Sequence, residues 1–283
     1  MERRLIILIL ITNLILVSTS LSFAQNTESK ITILISNDDG YNAPGIKALA
    51  EALSQIAKVV VAAPSKQQSG TGHGITYREP IFVRSIHNGY NIPWYAITAT
   101  PATCVRLGIE SLMKEKPDLV ISGINEGENL GLVTFCSGTV GAAREAAILG
   151  FPAIAVSIEG NNNEDYKATA LFVKNLVNQL IDNKLLHSRF LLNVNAPAGI
   201  AKTMKGAKVT KLSLNPERDM YHLQKDLYFA KIYKANEFKP ILDNDLETDV
   251  NAFSKGYITI TPLSINQTDA PFKSLFDKLM IIH

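Results

Sequence analysis

The chain has 283 residues, 28 of them basic and 26 acidic, for a net charge of +2. That near balance leaves no footprint for a nucleic-acid polymer, and an apolar share of 46% is that of an ordinary folded chain rather than a disordered one. Two cysteines are too few for a disulfide framework and bring no third or fourth soft ligand for zinc.

Residues 1–24 read as a signal peptide. Arg3 and Arg4 precede an apolar stretch from Leu5, and Ser22-Phe23-Ala24 supplies the small-residue cleavage site. An uncleaved anchor is the alternative, but the apolar run is short for a span. Either way the working part is expected outside the cytoplasm, periplasmic or secreted, with no stable membrane contact after processing. Residues 25–283 are expected to form a single domain, with a core over about 30–197 and a β-rich arm and closing helix over about 198–283.

Within the core, short β-rich runs alternate with helical periodicity, which predicts an α/β sheet covered by helices on both faces. The strand Ile31 to Ser36 leads to a helix opened by Pro44 and Gly45, with Ile46, Leu49, Ala50, Leu53 and Ile56 on its apolar face. Val59 to Ala63 is the next strand, and Ser65 to Gly74 a loop. Weaker strands over Ile81 to Arg84 and Trp94 to Thr98 precede a helix from Pro101. Asp118 to Ser122 is a strand running into the loop Gly123 to Gly138, after which a small-residue helix starts. A strand Phe151 to Ser157, a helix Asp165 to Ile181 and a strand Phe190 to Asn195 complete the core. Strands over Tyr228 to Tyr233 and Tyr257 to Thr261 and a docking helix over Phe272 to Met280 are expected in the arm.

Asp38 and Asp39 stand where the first strand stops, at the strand-end mouth where open α/β sheets bind ligands. Two adjacent, partly desolvated carboxylates repel each other, so a divalent cation is expected between them; an Asp-Gly turn that only satisfies backbone donors is the plainer reading. Ser69 and Asn125 lie in two other loops at strand ends and offer neutral oxygens to the same ion. Ser137, Gly138 and Thr139 open a helix, as an N-cap or as a cradle for a phosphate. A cation site and an anion-receptive helix start on one sheet edge suit phosphoryl hydrolysis, with Asn37 a further candidate to steady the developing charge. Metal-bound water is the expected nucleophile, and an aspartyl-phosphate route is the alternative. His73 is either a proton donor to the leaving group or an exposed loop histidine. Cys104 and Cys136 are expected as two separate, mostly buried thiols.

Asn37-Asp38-Asp39-Gly40, Ala43-Pro44-Gly45, Ser69-Gly70, Thr100-Pro101 with Cys104-Val105, Ser122-Gly123-Ile124-Asn125 and Ser137-Gly138-Thr139-Val140 follow one another as in the SurE family of survival proteins, which this chain resembles. Asn193-Val194-Asn195, Thr248-Asp249, Gly256-Tyr257 and Thr261-Pro262-Leu263 resemble that family's C-terminal pattern. The resemblance implies a three-layer α/β/α sandwich, Rossmann-like, whose C-terminal hairpin is exchanged between subunits of a homodimer or homotetramer. It also implies a phosphomonoesterase acting on nucleoside monophosphates, 5′ and often 3′, with one divalent metal per subunit, Mg2+ or Mn2+. On that resemblance the metal ligands fall on Asp38, Asp39, Ser69 and Asn125 and the phosphate-side loop on Ser137, Gly138 and Thr139; the mechanism just outlined makes Asp38, Asp39 and Asn37 the catalytic candidates. Thr103 stands where many members carry an acid, and Ser264 where a histidine is frequent. A non-catalytic exported binding protein and a broad acid phosphatase or polyphosphatase are the competing readings.

Overall fold

The computed structural model describes residues 30–268 except 88, 90, 204, 216–220 and 236–240. The expected leader and the expected docking helix over Phe272 to Met280 lie outside the described residues. Chain order is β1 (Thr32–Ser36), α1 (Pro44–Ser54), β2 (Lys58–Pro64), β3 (Val83–Ser85), β4 (Trp94–Ile97), α2 (Pro101–Leu107), β5 (Leu119–Glu126), α3 (Gly138–Ile148), β6 (Ala153–Ile158), α4 (Asn163–Asp182), β7 (Leu191–Ala196), α5 (Ile200–Thr203), β8 (Ala207–Val209), β9 (Tyr221–Leu227), β10 (Ala230–Ala235), α6 (Asp249–Ser254) and β11 (Ile258–Pro262).

Nine strands make one sheet in the order β3-β4-β2-β1-β5-β6-β7-β11-β8. From β4 to β7 neighbouring strands run parallel, while β3 and β11 pair antiparallel with β4 and β7. The chain winds outward from β1 through β2 to β4 and then returns to the other side of β1 as β5. A switch point therefore opens between the ends of β1 and β5, the crevice where such sheets take ligands.

Residues of alternate parity along the buried strands feed two cores. Ile33 and Ile35 of β1, Ile121 of β5 and Val156 of β6 pack with α1 and α4 on one face. Leu34, Val120 and Ala155 pack with α2 and α3 on the other. Helices on both faces of a mostly parallel sheet make the three-layer sandwich expected from the alternating pattern. The buried face of α1 is Gly45, Ile46, Leu49, Ala50 and Leu53, with Pro44 in its first turn. Helical spacing therefore located this helix, although Ile56, expected on the same face, lies past its end at Ser54.

Several elements differ from expectation. β5 runs on from Ser122 to Glu126, and its pairing with β6 carries one extra residue between Ser122 and Asn125. Such a bulge re-aims the side chains that follow it. Gly123 is at φ +143, and a Cβ there would stand 2.3 Å from the Val156 carbonyl oxygen, so only glycine fits the bulge. In the arm, the expected strand from Tyr228 is the second half of a hairpin: β9 and β10 pair antiparallel, and Tyr228 and Phe229 form its turn, 95% and 93% exposed. α6 was not foreseen, because six residues are too few for a periodic signature. The rest of the arm joins the main sheet, with β8 parallel to β11.

Gly45 sets how closely α1 approaches β5. A Cβ on it would meet the carbonyl oxygen of Ile124 at 1.9 Å, in the strand that carries Asn125. Gly45→Ala is expected to lower stability by about 3 kcal/mol in urea unfolding; an unchanged midpoint would show that α1 can lift from the sheet freely.

Candidate active site

β1 stops because the residues after Ser36 turn. Asn37 is fully buried and donates from Nδ2 to the Gly40 carbonyl (2.9 Å), while its Oδ1 accepts from the Gly40 N–H (3.1 Å). Both ends of its amide are thus used within the turn, so Asn37 shapes the loop. Gly40 at φ +101 supplies the left-handed residue the turn requires.

The turn delivers its two acids in different directions. Asp38 is 4% exposed and points at the start of α3: the Thr139 hydroxyl donates to Asp38 Oδ1, and the Gly138 and Thr139 N–H groups face the same carboxylate. Asp39 turns to β5, where its Oδ2 accepts from the Glu126 N–H at 3.0 Å. Burial raises the pKa of Asp38, and the hydrogen bonds from Thr139 and Gly138 offset this only in part. Asp39 is pushed up to about 7, first by burial and then by repulsion from Asp38.

The other expected residues converge on the same place. The Gln68 N–H donates to the Asp38 carbonyl at 2.7 Å, which ties the loop bearing Ser69 to the mouth of β1. The Ser69 hydroxyl accepts from Gln67 Nε2 at 3.1 Å. Asn125 spends its Nδ2 on the carbonyls of Glu126 (3.1 Å) and Gly127 (2.5 Å), so its Oδ1 is the end left for the cleft. Asp38, Ser69, Asn125, Glu126, Glu128 and Ser137 line one cleft of about 570 Å³. A cleft of similar size, about 640 Å³, along Ser85, Trp94 and Tyr95 contains no acid.

At the helix start, the Ser137 hydroxyl accepts from the Val140 N–H at 3.1 Å, an ordinary N-cap. The first amides of α3 are directed at Asp38 and so connect the acids to the anion-receptive end directly. Among the described residues no group of three or more His, Cys, Asp or Glu side chains forms. The acid pair is completed by neutral oxygens, a donor set that fits magnesium, manganese or calcium better than zinc or copper. The raised carboxyls fit a cation there, because burial first and, for Asp39, repulsion from Asp38 second disfavour their charged forms, and a positive ion between them would favour those forms.

Sequence reasoning missed the residues that hold the loop between β5 and α3. The Asn129 N–H donates to Asn195 Oδ1 (2.7 Å), its Nδ2 to the Ser157 hydroxyl (2.8 Å), and its carbonyl accepts from Asn193 Nδ2 (2.7 Å). Buried Asp249 accepts from the N–H groups of Gly131 and Ser213, both at 2.9 Å. Asn193, Asn195 and Asp249 were visible as motifs, but their role rests on contacts that no local pattern encodes. His73 fits neither of its expected roles: its Nε2 pairs with Glu145 Oε2 of α3 at 2.7 Å, and Arg106 of α2 reaches the other oxygen at 2.5 Å. Burial would raise the Glu145 carboxyl, but the His73 hydrogen bond and the Arg106 charge outweigh it and hold it low. Both cysteines are free, as expected, yet only Cys104 is buried; Cys136 is exposed at the cleft.

Because Asp39 binds its proton more tightly in the folded chain, stability falls as pH rises from about 4, where the unfolded group ionises, to about 7. Metal-free protein is expected to lose about 2 kcal/mol between pH 5 and pH 8 in urea unfolding with chelator, and Asp39→Asn to abolish most of that loss. Equal slopes in the two proteins would contradict the raised pKa of Asp39.

A family model described as survival protein SurE matches residues 33–219. A relative from Natranaerobius thermophilus named 5'-nucleotidase SurE is 40% identical over 244 residues, 84% of this chain and 94% of the relative. Another of that name from Symbiobacterium thermophilum is 42% identical over 243 residues, 83% of this chain and 93% of the relative. The crystal structure of the SurE protein from Aquifex aeolicus matches with a TM-score of 0.74 and 37% identity, covering 88% of this chain and 99% of that one. With the family model spanning most of the fold just described and these relatives matching more than four fifths of the chain, the chain belongs to the SurE family of survival proteins.

Proposed function

We propose that this protein hydrolyses nucleoside monophosphates to nucleoside and phosphate with the help of a divalent cation, magnesium or manganese, one per chain. The observation that carries the reading is the acid pair at the switch point, with Asp38 set against the first amides of α3, in a chain about 40% identical to relatives named 5'-nucleotidase.

Asp38 and Asp39 would hold the cation, with Ser69 Oγ and Asn125 Oδ1 as neutral donors. Bound there, such an ion supplies positive charge at the phosphoryl oxygens and lowers the pKa of a water molecule. The start of α3 contributes from the other side. Its N-terminal N–H groups and the Thr139 hydroxyl lie beside Asp38, so an anion reaching the acids also meets the positive end of a helix dipole. Ser137 and Gly138 fix where that helix starts, and a Cβ on Gly138 would fall 2.8 Å from Asp38 Oδ2. Asn37 shapes the turn that aims the acids. Attack by Asp38 itself is disfavoured, because its carboxylate is buried and already engaged by Thr139.

Export on residues 1–24, to the periplasm or the medium, belongs to the same proposal and rests on the layout of that segment. So does assembly into a homodimer or homotetramer. The hairpin exposes Tyr221, Tyr228, Phe229 and Tyr233, an apolar surface that a second subunit would cover.

Hydrolysis of AMP is expected to stop in EDTA and return with Mn2+ or Mg2+, and Asp38→Asn to lower kcat about a thousandfold while weakening metal binding. Undiminished phosphate release in chelator would defeat the proposal. Replacing Tyr228 and Phe229 by serine is expected to shift the protein to a smaller species in light scattering; an unchanged mass would remove the hairpin from the interface.

A further inference from the structure

Three of the four proposed cation ligands stand on the central sheet: Asp38 and Asp39 follow β1 directly, and Asn125 lies in β5. Ser69 does not. It is exposed in the loop between β2 and β3, and a Cβ on the neighbouring Gly70 would meet no described atom within 4 Å, so the loop's own anchors decide where the hydroxyl stands. On one side the Gln68 N–H reaches the Asp38 carbonyl, and on the other the Gly72 N–H donates to the Cys136 carbonyl at 3.0 Å.

Beyond Gly70 the loop rests on α3. A Cβ on Gly138 would fall 3.0 Å from Thr71 Oγ1, and one on Gly141 would fall 2.2 Å from the Gly72 carbonyl oxygen and 3.1 Å from the His73 Cα. These two glycines let the loop come down onto the helix, and Glu145, one turn further along the same face, takes His73 Nε2 at 2.7 Å. The Glu145 side chain is 3% exposed. Burial works to raise its carboxyl, but the His73 hydrogen bond and the Arg106 charge hold it low. An ionised carboxylate only accepts, so His73 Nε2 is the donor. Arg106, which also pairs with Glu110 at 3.1 Å, faces the second carboxylate oxygen from α2. One oxygen thus fastens the loop from inside the core while the other is itself held. Removing His73 leaves a buried charge with half of its partners, a costly state that the chain relieves by shifting the loop or the helix.

A serine has one side-chain torsion, so a hard cation that needs oxygens at about 2.0–2.6 Å receives Ser69 only where the backbone is fixed. Building on the metal-assisted reading above, we infer that His73 is a positioning residue: clamped to Glu145, it holds the Ser69 hydroxyl at the cation and so sets how tightly the site binds its metal. His73 itself does not line the cleft. Its effect runs through the ligand four residues before it.

The test titrates metal-free protein with Mn2+ alone and reads the dissociation constant from the electron paramagnetic resonance signal of the free ion. His73→Ala is expected to bind about tenfold more weakly, and His73→Gln, whose amide donor stands where Nε2 does, to bind as the unaltered protein does. The comparison with Ser69→Ala isolates the route: in that background His73→Ala should cost less than about twofold, because the ligand it positions is gone. In metal-free His73→Ala the Gln68 and Gly72 amides should exchange with solvent about tenfold faster, while those of β1 and β5 keep their rates. With AMP at saturating Mn2+, kcat of His73→Ala should return to within about twofold of the unaltered protein. Should His73→Ala fail to fold, His73→Asn, whose donor is too short to reach Glu145, takes its place. An unchanged dissociation constant, an equal loss with and without Ser69, a glutamine variant as weak as alanine, or a loss of kcat that saturating metal does not restore each overturns the inference. Absence of Mn2+ binding in the unaltered protein overturns the site and the inference together. Unaltered protein that binds Mn2+ but does not hydrolyse AMP defeats the phosphatase reading alone, and the Mn2+ constants still decide the role of His73.

Discussion

Two neighbouring carboxylates held out of water at the end of one strand dominate this structure. Their mutual repulsion and their desolvation both act against the folded chain, and burial alone is enough to raise Asp38. The fold handles them by separating their partners. Asp38 is given to the first turn of α3 and Asp39 to the backbone of β5, so each acid rests on a different element of the rigid core. The arrangement works only if both elements reach the mouth of β1, and strand order ensures that they do. β5 lies beside β1, and α3 is the helix that follows β5.

The loops above the sheet are fastened by buried polar side chains. Asn129 is gripped by Asn193 and Asn195 of β7, and Gly131 by Asp249 of α6, so the segment leading to Ser137 hangs from residues far along the chain. On the opposite side, Gln68 bonds to the Asp38 carbonyl and His73 to Glu145 of α3, which joins the Ser69 loop to the same helix. Each contact buries a polar group against a partner, so loss of either member leaves the other unsatisfied. The geometry of the acids is therefore set by the arm and by β7 as well as by the nearest strands.

Much of the core could be read from the chain. β1 and α1 follow from an apolar run, Pro44 and helical spacing, and the acids are conspicuous because no buried strand ends in two carboxylates without a reason. The limits of legibility have physical causes. β5 continues past Ser122 because a bulge at Gly123 lets polar residues stay in the ladder, whereas in sequence the polar run looks like the end of the strand. Ser137, Gly138 and Thr139 mark a helix start in either view, but the direction of their donors depends on where Asp38 arrives, 101 residues away from Thr139. The tie from Gly131 to Asp249 spans 118 residues, and motif order can flag such a residue without revealing its partner.

The central claim is that one hard cation sits between Asp38 and Asp39, facing the start of α3. Anomalous diffraction at the manganese edge from crystals equilibrated with saturating Mn2+ tests it most directly. The account predicts a single strong peak per chain about 2.0–2.3 Å from oxygens of both aspartates, with Ser69 and Asn125 around it. A peak elsewhere, or no peak at the end of β1 under saturating metal, would contradict it.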